Sequence, residues 1–129
     1  MNKVSFVPYE FMFGDGDHIY FCAGESHFKR TFLVDTGFSL GVALPLSDLI
    51  NYPFTGGYLT KLVLATDKVI NATVFLVDVD FGNKSPKKQP RVSFTFVKDL
   101  DEPLVGIEFL KLFARFEIEW SKKSVLVNL

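Results

Sequence analysis

Phe32-Leu33-Val34-Asp35-Thr36-Gly37-Phe38-Ser39 runs from three apolar residues into a carboxylate, a hydroxyl and a glycine. Phe and Val suit an extended, half-buried backbone, and Asp close to Gly suits a tight turn. The stretch reads as the end of a buried strand that delivers Asp35 into a turn. Asp and Gly are ordinary turn formers, so the tripeptide alone says little about chemistry. Its setting says more. Ala43-Leu44-Pro45 follows closely, and far downstream comes Pro103-Leu104-Val105-Gly106-Ile107-Glu108-Phe109-Leu110.

Over most of the chain the apolar period is two and is carried by Val, Phe, Ile, Tyr and Thr, which predicts a mainly β protein. Residues 6–13, 19–23 and 28–34 are strand candidates, separated by Gly14-Asp15-Gly16-Asp17 and Gly24-Glu25-Ser26. Pro8 puts the first of these at an edge or bulge. Pro45-Leu46-Ser47-Asp48-Leu49-Ile50 suits a short helical turn with Asp48 near its positive end. Residues 58–64 and 69–79 form a long hairpin around a polar tip, Ala65-Thr66-Asp67-Lys68. Residues 91–97 make a further strand, and residues 103–116 contain a short buried helix with Glu108 in its first turn, where a negative charge offsets the helix dipole. Phe116, Ile118 and Trp120 alternate with charged residues, and residues 125–129 end the chain as a strand. No internal repeat or linker interrupts the pattern, so residues 1–129 read as one domain.

The blocks around Asp35 and Gly106 resemble the retropepsin-like (retroviral-type, clan AA) aspartic proteases. The first block is similar to their catalytic loop and the second to the segment of two apolar residues and a Gly before their C-terminal helix. Phe38 after the tripeptide, with Ala43-Leu44-Pro45 behind it, is especially similar to bacterial and archaeal single-domain members. The resemblance spans roughly residues 28–127. At Leu40-Gly41 the order is reversed relative to those relatives, which place Gly before a bulky residue. The resemblance implies an all-β closed barrel with one short C-terminal helix, functional as a homodimer. It also implies that Asp35 is catalytic, that Thr36 and Gly37 support the active-site loop, and that Ser39 meets substrate. Thr66 and Asp67, at the hairpin tip, would meet substrate as part of a flap. Phe38, unlike a hydroxyl residue, cannot donate a side-chain hydrogen bond to Asp35.

This chemistry explains why one Asp-Thr-Gly suffices. Hydrolysing a peptide without metal or covalent intermediate needs one group to accept a proton from water and another to supply one. Two carboxylates about 3 Å apart divide these roles because they cannot both ionise, and aspartic proteases are the type case. One chain supplies half the pair, and a two-fold homodimer supplies the rest. The expected activity is endopeptidase cleavage by a water activated between two Asp35 carboxylates, with an extended peptide or protein as substrate. The competing expectation is a non-catalytic module that binds a peptide or partner on the same fold.

Composition narrows the field further. A chain of 129 residues fits one core and leaves no room for a second lobe. With 14 basic and 15 acidic residues there is no field to gather nucleic acid, and Lys84, Lys87, Lys88 and Arg91 share a turn-rich segment with Pro86 and Pro90 that reads as a solvated loop. Cys22 is the only cysteine, so no intrachain disulfide is possible; it reads as a core thiol. His18 and His27 lie by turns without ligand spacing, so we expect no metal and no cofactor. Gly14-Asp15-Gly16-Asp17 lacks the later ligands of a calcium loop. Without a leader-like start or an apolar span of about 18 residues, we expect a soluble, cytoplasmic protein with no membrane partner. Met1 at the start and the lack of a flanking linker favour a chain in its own right over a piece of a polyprotein.

Overall fold

The computed structural model describes residues 2–25, 28–63, 66–82 and 90–129. In chain order the strands are β1 (Lys3–Ser5), β2 (Tyr9–Phe13), β3 (Ile19–Glu25), β4 (Phe28–Val34), β5 (Val42–Pro45), β6 (Tyr58–Val63), β7 (Val69–Asp80), β8 (Arg91–Val97), β9 (Leu104–Val105), β10 (Arg115–Glu119) and β11 (Ser124–Asn128). One α-helix, α1 (Ile107–Leu110), lies between β9 and β10, and 3-10 turns occupy Asp15–Asp17 and Leu46–Asn51. The mainly β reading and the short helix near the C-terminal end therefore hold. The helix is a single turn, because Phe113 reaches the core one turn later and the chain is again extended by Arg115.

The main sheet runs β1-β7-β8-β5-β9-β4-β3-β2, with β6 added to the first half of β7, and β10 and β11 form a separate ribbon. This is a curled half-barrel, and the closed barrel expected from the sequence is not formed: β1 and β2 end the sheet on opposite sides and do not pair with each other. The cause lies at residues 6–8, which were expected to continue one strand through residue 13. Phe6 N–H donates to the Asp80 carbonyl at 2.8 Å, extending the β1–β7 ladder, while the Pro8 carbonyl accepts from Gly24 N–H at 2.9 Å beside β3. Val7 carries the chain from one sheet edge to the other, so no single strand spans the segment.

Aromatic rings cover the seam between these edges. Phe6 is fully buried and meets Phe21 edge-on at 5.4 Å and Phe32 at 5.9 Å, and Tyr9 meets Phe81 at 5.2 Å. Phe94, Phe96 and Phe109 are also fully buried. Such edge-to-face pairs add about 0.5–1.5 kcal/mol each beyond the area they bury. Much of the chain's content of 15 phenylalanines thus lies in the core.

Other boundaries moved little. Gly24 and Glu25, read as a turn, continue β3, and Ser26, the rest of that turn reading, lies outside the described residues. Asp48 sits in the 3-10 turn that was expected as a helical turn, and its carboxylate pairs with Arg30 on β4. In β10, Phe116 and Ile118 are half-buried between exposed Arg115, Glu117 and Glu119, as the alternation predicts. Trp120 lies just beyond the strand, exposed, with its ring edge-on to Phe13 at 5.6 Å.

Replacing Phe6 by Ala should empty the centre of the seam and cost about 3–5 kcal/mol of stability. Urea unfolding followed by fluorescence checks this; a loss below about 1 kcal/mol would show that the seam does not depend on Phe6.

Candidate active site

Asp35 follows directly on β4. That strand pairs in parallel with β9 at Leu33↔Leu104 and Val34↔Val105, and β9 pairs on its other side with β5. The loop from Asp35 to Gly41 therefore arches over the end of β9, leaving β4 on one flank and returning as β5 on the other. The arch is tied at its start, where Asp35 N–H donates to the Val105 carbonyl at 2.9 Å. Phe38 N–H closes the turn on the Asp35 carbonyl at 3.1 Å, and Gly37 N–H donates to Asp35 Oδ1 at 2.9 Å. Asp35 is half-buried, while Thr36, Gly37 and Ser39 are exposed. One carboxylate oxygen is held by the turn, and Oδ2 has no hydrogen-bond partner among the described residues. A strand-anchored carboxylate facing outward can exchange a proton with water or with a second acid brought against it.

The underside of the loop rests on the start of α1. Ile107 N–H donates to the Phe38 carbonyl at 2.9 Å, Glu108 N–H to the Leu40 carbonyl at 3.3 Å, and Gly106 N–H to the Gly41 carbonyl at 2.7 Å. A Cβ on Gly106 would lie 2.4 Å from both the Phe38 and Leu40 oxygens, so only glycine allows this approach. Gly41 answers a similar demand, since a Cβ there would lie 2.6 Å from the Ser93 carbonyl oxygen on β8. The reversed Leu40-Gly41 order thus places the glycine where the returning loop presses on β8. Gly41 N–H also donates to Ser93 Oγ at 3.2 Å, and Ser93 N–H to Glu108 Oε1 at 2.7 Å. Glu108 does lie in the first turn of α1, but its carboxylate is engaged by a strand rather than left to offset a helix dipole. Sequence reasoning missed Ser93 as a support for this loop, because its partner is distant in the chain.

The remaining candidates are dispersed. Thr66 and Asp67 are exposed at the tip of the β6–β7 hairpin, with Asp67 left-handed at φ 61°; Leu64 and Ala65 lie outside the described residues. Within the chain, no hydrogen bond among the described residues joins Ser39, Thr66 or Asp67 to Asp35. A hollow of about 550 Å³ beside the hairpin is lined by Leu46, Leu59, Ile70, Phe96 and Leu100, with Lys68 at its margin, and does not include Asp35. Cys22 is not a core thiol. It falls on the outward face of β3, between the buried Phe21 and Ala23, with Sγ 3.3 Å from Met12 Sδ. His18 is exposed, and His27 lies outside the described residues, as do Lys84, Lys87 and Lys88. Arg91 opens β8, with its Nε 3.1 Å from Asp78 Oδ1. Among the described residues no group of three or more His, Cys, Asp and Glu side chains could hold a metal ion, and no helix is long and apolar enough to cross a membrane.

A Gly106→Ala substitution should force the Phe38 and Leu40 carbonyls away from α1, costing about 1–3 kcal/mol or more through overpacking. Thermal unfolding measures the cost, and amide chemical shifts that change at residues 37–41 would localise it; shifts confined to α1 would contradict this packing.

No protein-family model matches the chain, and no curated protein matches it in sequence. Among solved structures, it is similar to a retropepsin-like aspartic protease from Rickettsia conorii, with a TM-score of 0.62 and 23% identity over 98% of this chain and 96% of that one. At that identity the likeness speaks for the backbone alone: the chain has a retropepsin-like fold.

Proposed function

We propose that the protein is an aspartic endopeptidase that works as a homodimer, with Asp35 of each copy forming one shared catalytic pair. The observation that carries this reading is the Asp35 loop. It presents a half-buried carboxylate with one oxygen unpartnered among the described residues, and it is braced by β9 and α1 as a loop holding a reacting group needs to be. A single chain offers one such loop, so a second copy is needed for a pair that shares a proton.

In the paired site, the ionised carboxylate accepts a proton as water attacks the peptide carbonyl carbon, and the protonated one donates to the carbonyl oxygen. Collapse of the resulting diol returns a proton to the departing nitrogen, breaks the C–N bond and restores the shared proton. Thr36 and Gly37 hold the paired loops and let the substrate backbone pass. Ser39, Thr66 and Asp67 would meet an extended peptide added as a strand between loop and hairpin. The hairpin exposes Leu59, Val63 and Val69, which supports a preference for apolar side chains. The fully buried phenylalanines line the core and contribute nothing to that preference. The terminal strands already pair within the chain, β1 with β7 and β11 with β10, so a partner would use their outer edges. The lone Cys22 fits a reducing compartment, and a cytoplasmic location belongs to this reading.

Asp35→Asn should reduce peptide cleavage by about 10²–10⁴-fold or more, since an amide cannot act as a base. Mass spectrometry of a diverse peptide pool, run beside circular dichroism to establish folding, makes the comparison. Equal turnover by the two proteins would reject the protease reading and leave a binding module. Activity per chain should also fall on dilution through the dimer dissociation constant. Sedimentation equilibrium over the same concentrations tests this, and a fully active monomer would rule out the shared site.

A further inference from the structure

We propose that Glu108 and Ser93 form a clamp that positions the Asp35 loop; its kinetic consequence rests on the protease reading, but its geometry does not. Three hydrogen bonds close a ring through the loop, β8 and α1. Gly41 N–H donates to Ser93 Oγ at 3.2 Å, Ser93 N–H donates to Glu108 Oε1 at 2.7 Å, and Glu108 N–H donates to the Leu40 carbonyl at 3.3 Å. Glu108 therefore receives from β8 through its side chain and gives to the loop through its backbone.

The topology explains why a side-chain acceptor is needed here. The ladder between β5 and β8 begins at Val42↔Phe94, so at Ser93 there is no β5 residue to pair with. Ser93 is only 6% exposed, and a backbone N–H left unpaired in such a place costs about 1–3 kcal/mol. The Glu108 carboxylate fills the vacant strand position with a short, charge-assisted bond. The Ser93 hydroxyl then takes the amide of Gly41, whose lack of a Cβ lets the loop come this close. The clamp grips the loop at Leu40 and Gly41, while Asp35 and Thr36 lie at its other end. Displacing a reacting group by about 1 Å can cost on the order of 100-fold in rate, so a slack grip should be felt at Asp35.

The test compares Glu108→Ala and Glu108→Gln with the parent protein, using steady-state cleavage of a peptide substrate and amide hydrogen exchange. Glu108→Ala should lower kcat at least about tenfold and change KM by less than about threefold, because positioning matters most in the transition state. Glu108→Gln should recover most of the loss, since its amide oxygen accepts the same Ser93 N–H. In Glu108→Ala the amides of Gly41, Ser93 and Glu108 should exchange faster, while those of Phe21 and Val77 stay protected. Should Glu108→Ala fail to fold, Ser93→Ala, which removes only the acceptor for Gly41, is expected to speed exchange at Gly41 and lower kcat. Unchanged exchange at these amides, a Gln variant as slow as the Ala variant, or a loss matched by exchange throughout the core would overturn the clamp. If the parent protein cleaves nothing, the protease reading falls and exchange alone decides: faster at Gly41 and Ser93 upholds the clamp, unchanged rejects it.

Discussion

The candidate site depends on one close approach, the missing side chain of Gly106 against the carbonyl oxygens of Phe38 and Leu40. Because nothing projects from Gly106, the start of α1 can offer successive backbone N–H groups to the loop, from Gly106 to Gly41, from Ile107 to Phe38 and from Glu108 to Leu40. These bonds satisfy loop carbonyls that would otherwise be buried without partners. They also set where β5 begins, and β5 in turn is the strand that joins β8 to β9 and so links the two sides of the sheet. A side chain at residue 106 would therefore disturb the loop and the sheet together.

The open form of the sheet bears on chemistry as well as on stability. The chain closes its seam with Phe6, Tyr9, Phe21 and Phe81 instead of a ladder, which holds the core but leaves strand edges at β1 and β2. Among the described residues no second acid is hydrogen-bonded to the Asp35 carboxylate, and the hollow beside the hairpin does not extend to it. On the proposed reading Asp35 is half of an acid pair, and the open strand edges then suit the fold to assembly with a copy of itself. The proposed dimer resolves both features at once.

Much of the architecture was legible from alternation and turn chemistry. The strands at residues 28–34 and 91–97 were read with the observed bounds, because each is an apolar run ended by strong turn residues. The hairpin of β6 and β7 was legible for the same reason, with Asp67 at its tip taking the left-handed conformation that Asp tolerates. The segment around Phe6 was not. Its composition is uniformly strand-like, and only the competition between Asp80 and Gly24 for its backbone splits it in two. Cys22 was misplaced because its immediate neighbours in sequence are apolar, whereas the alternation of a strand puts it on the opposite face from Phe21 and Ala23.

For the site, the sequence by itself determined the carboxylate and its turn: Asp35 after an apolar strand, with Gly37 to let the chain bend. It also placed Gly106 in a second block, through a resemblance and not through any visible physical reason. Tertiary structure decided what that glycine does, why Gly41 follows Leu40, and that Ser93 and Glu108 meet at all. These depend on three segments converging at the end of β9, and local periodicity carries no information about which distant backbone groups will be left without partners. The same holds for closure of the sheet. Alternation tells which face of a strand is buried, but whether the first and last strands pair is a property of how far the whole sheet curls.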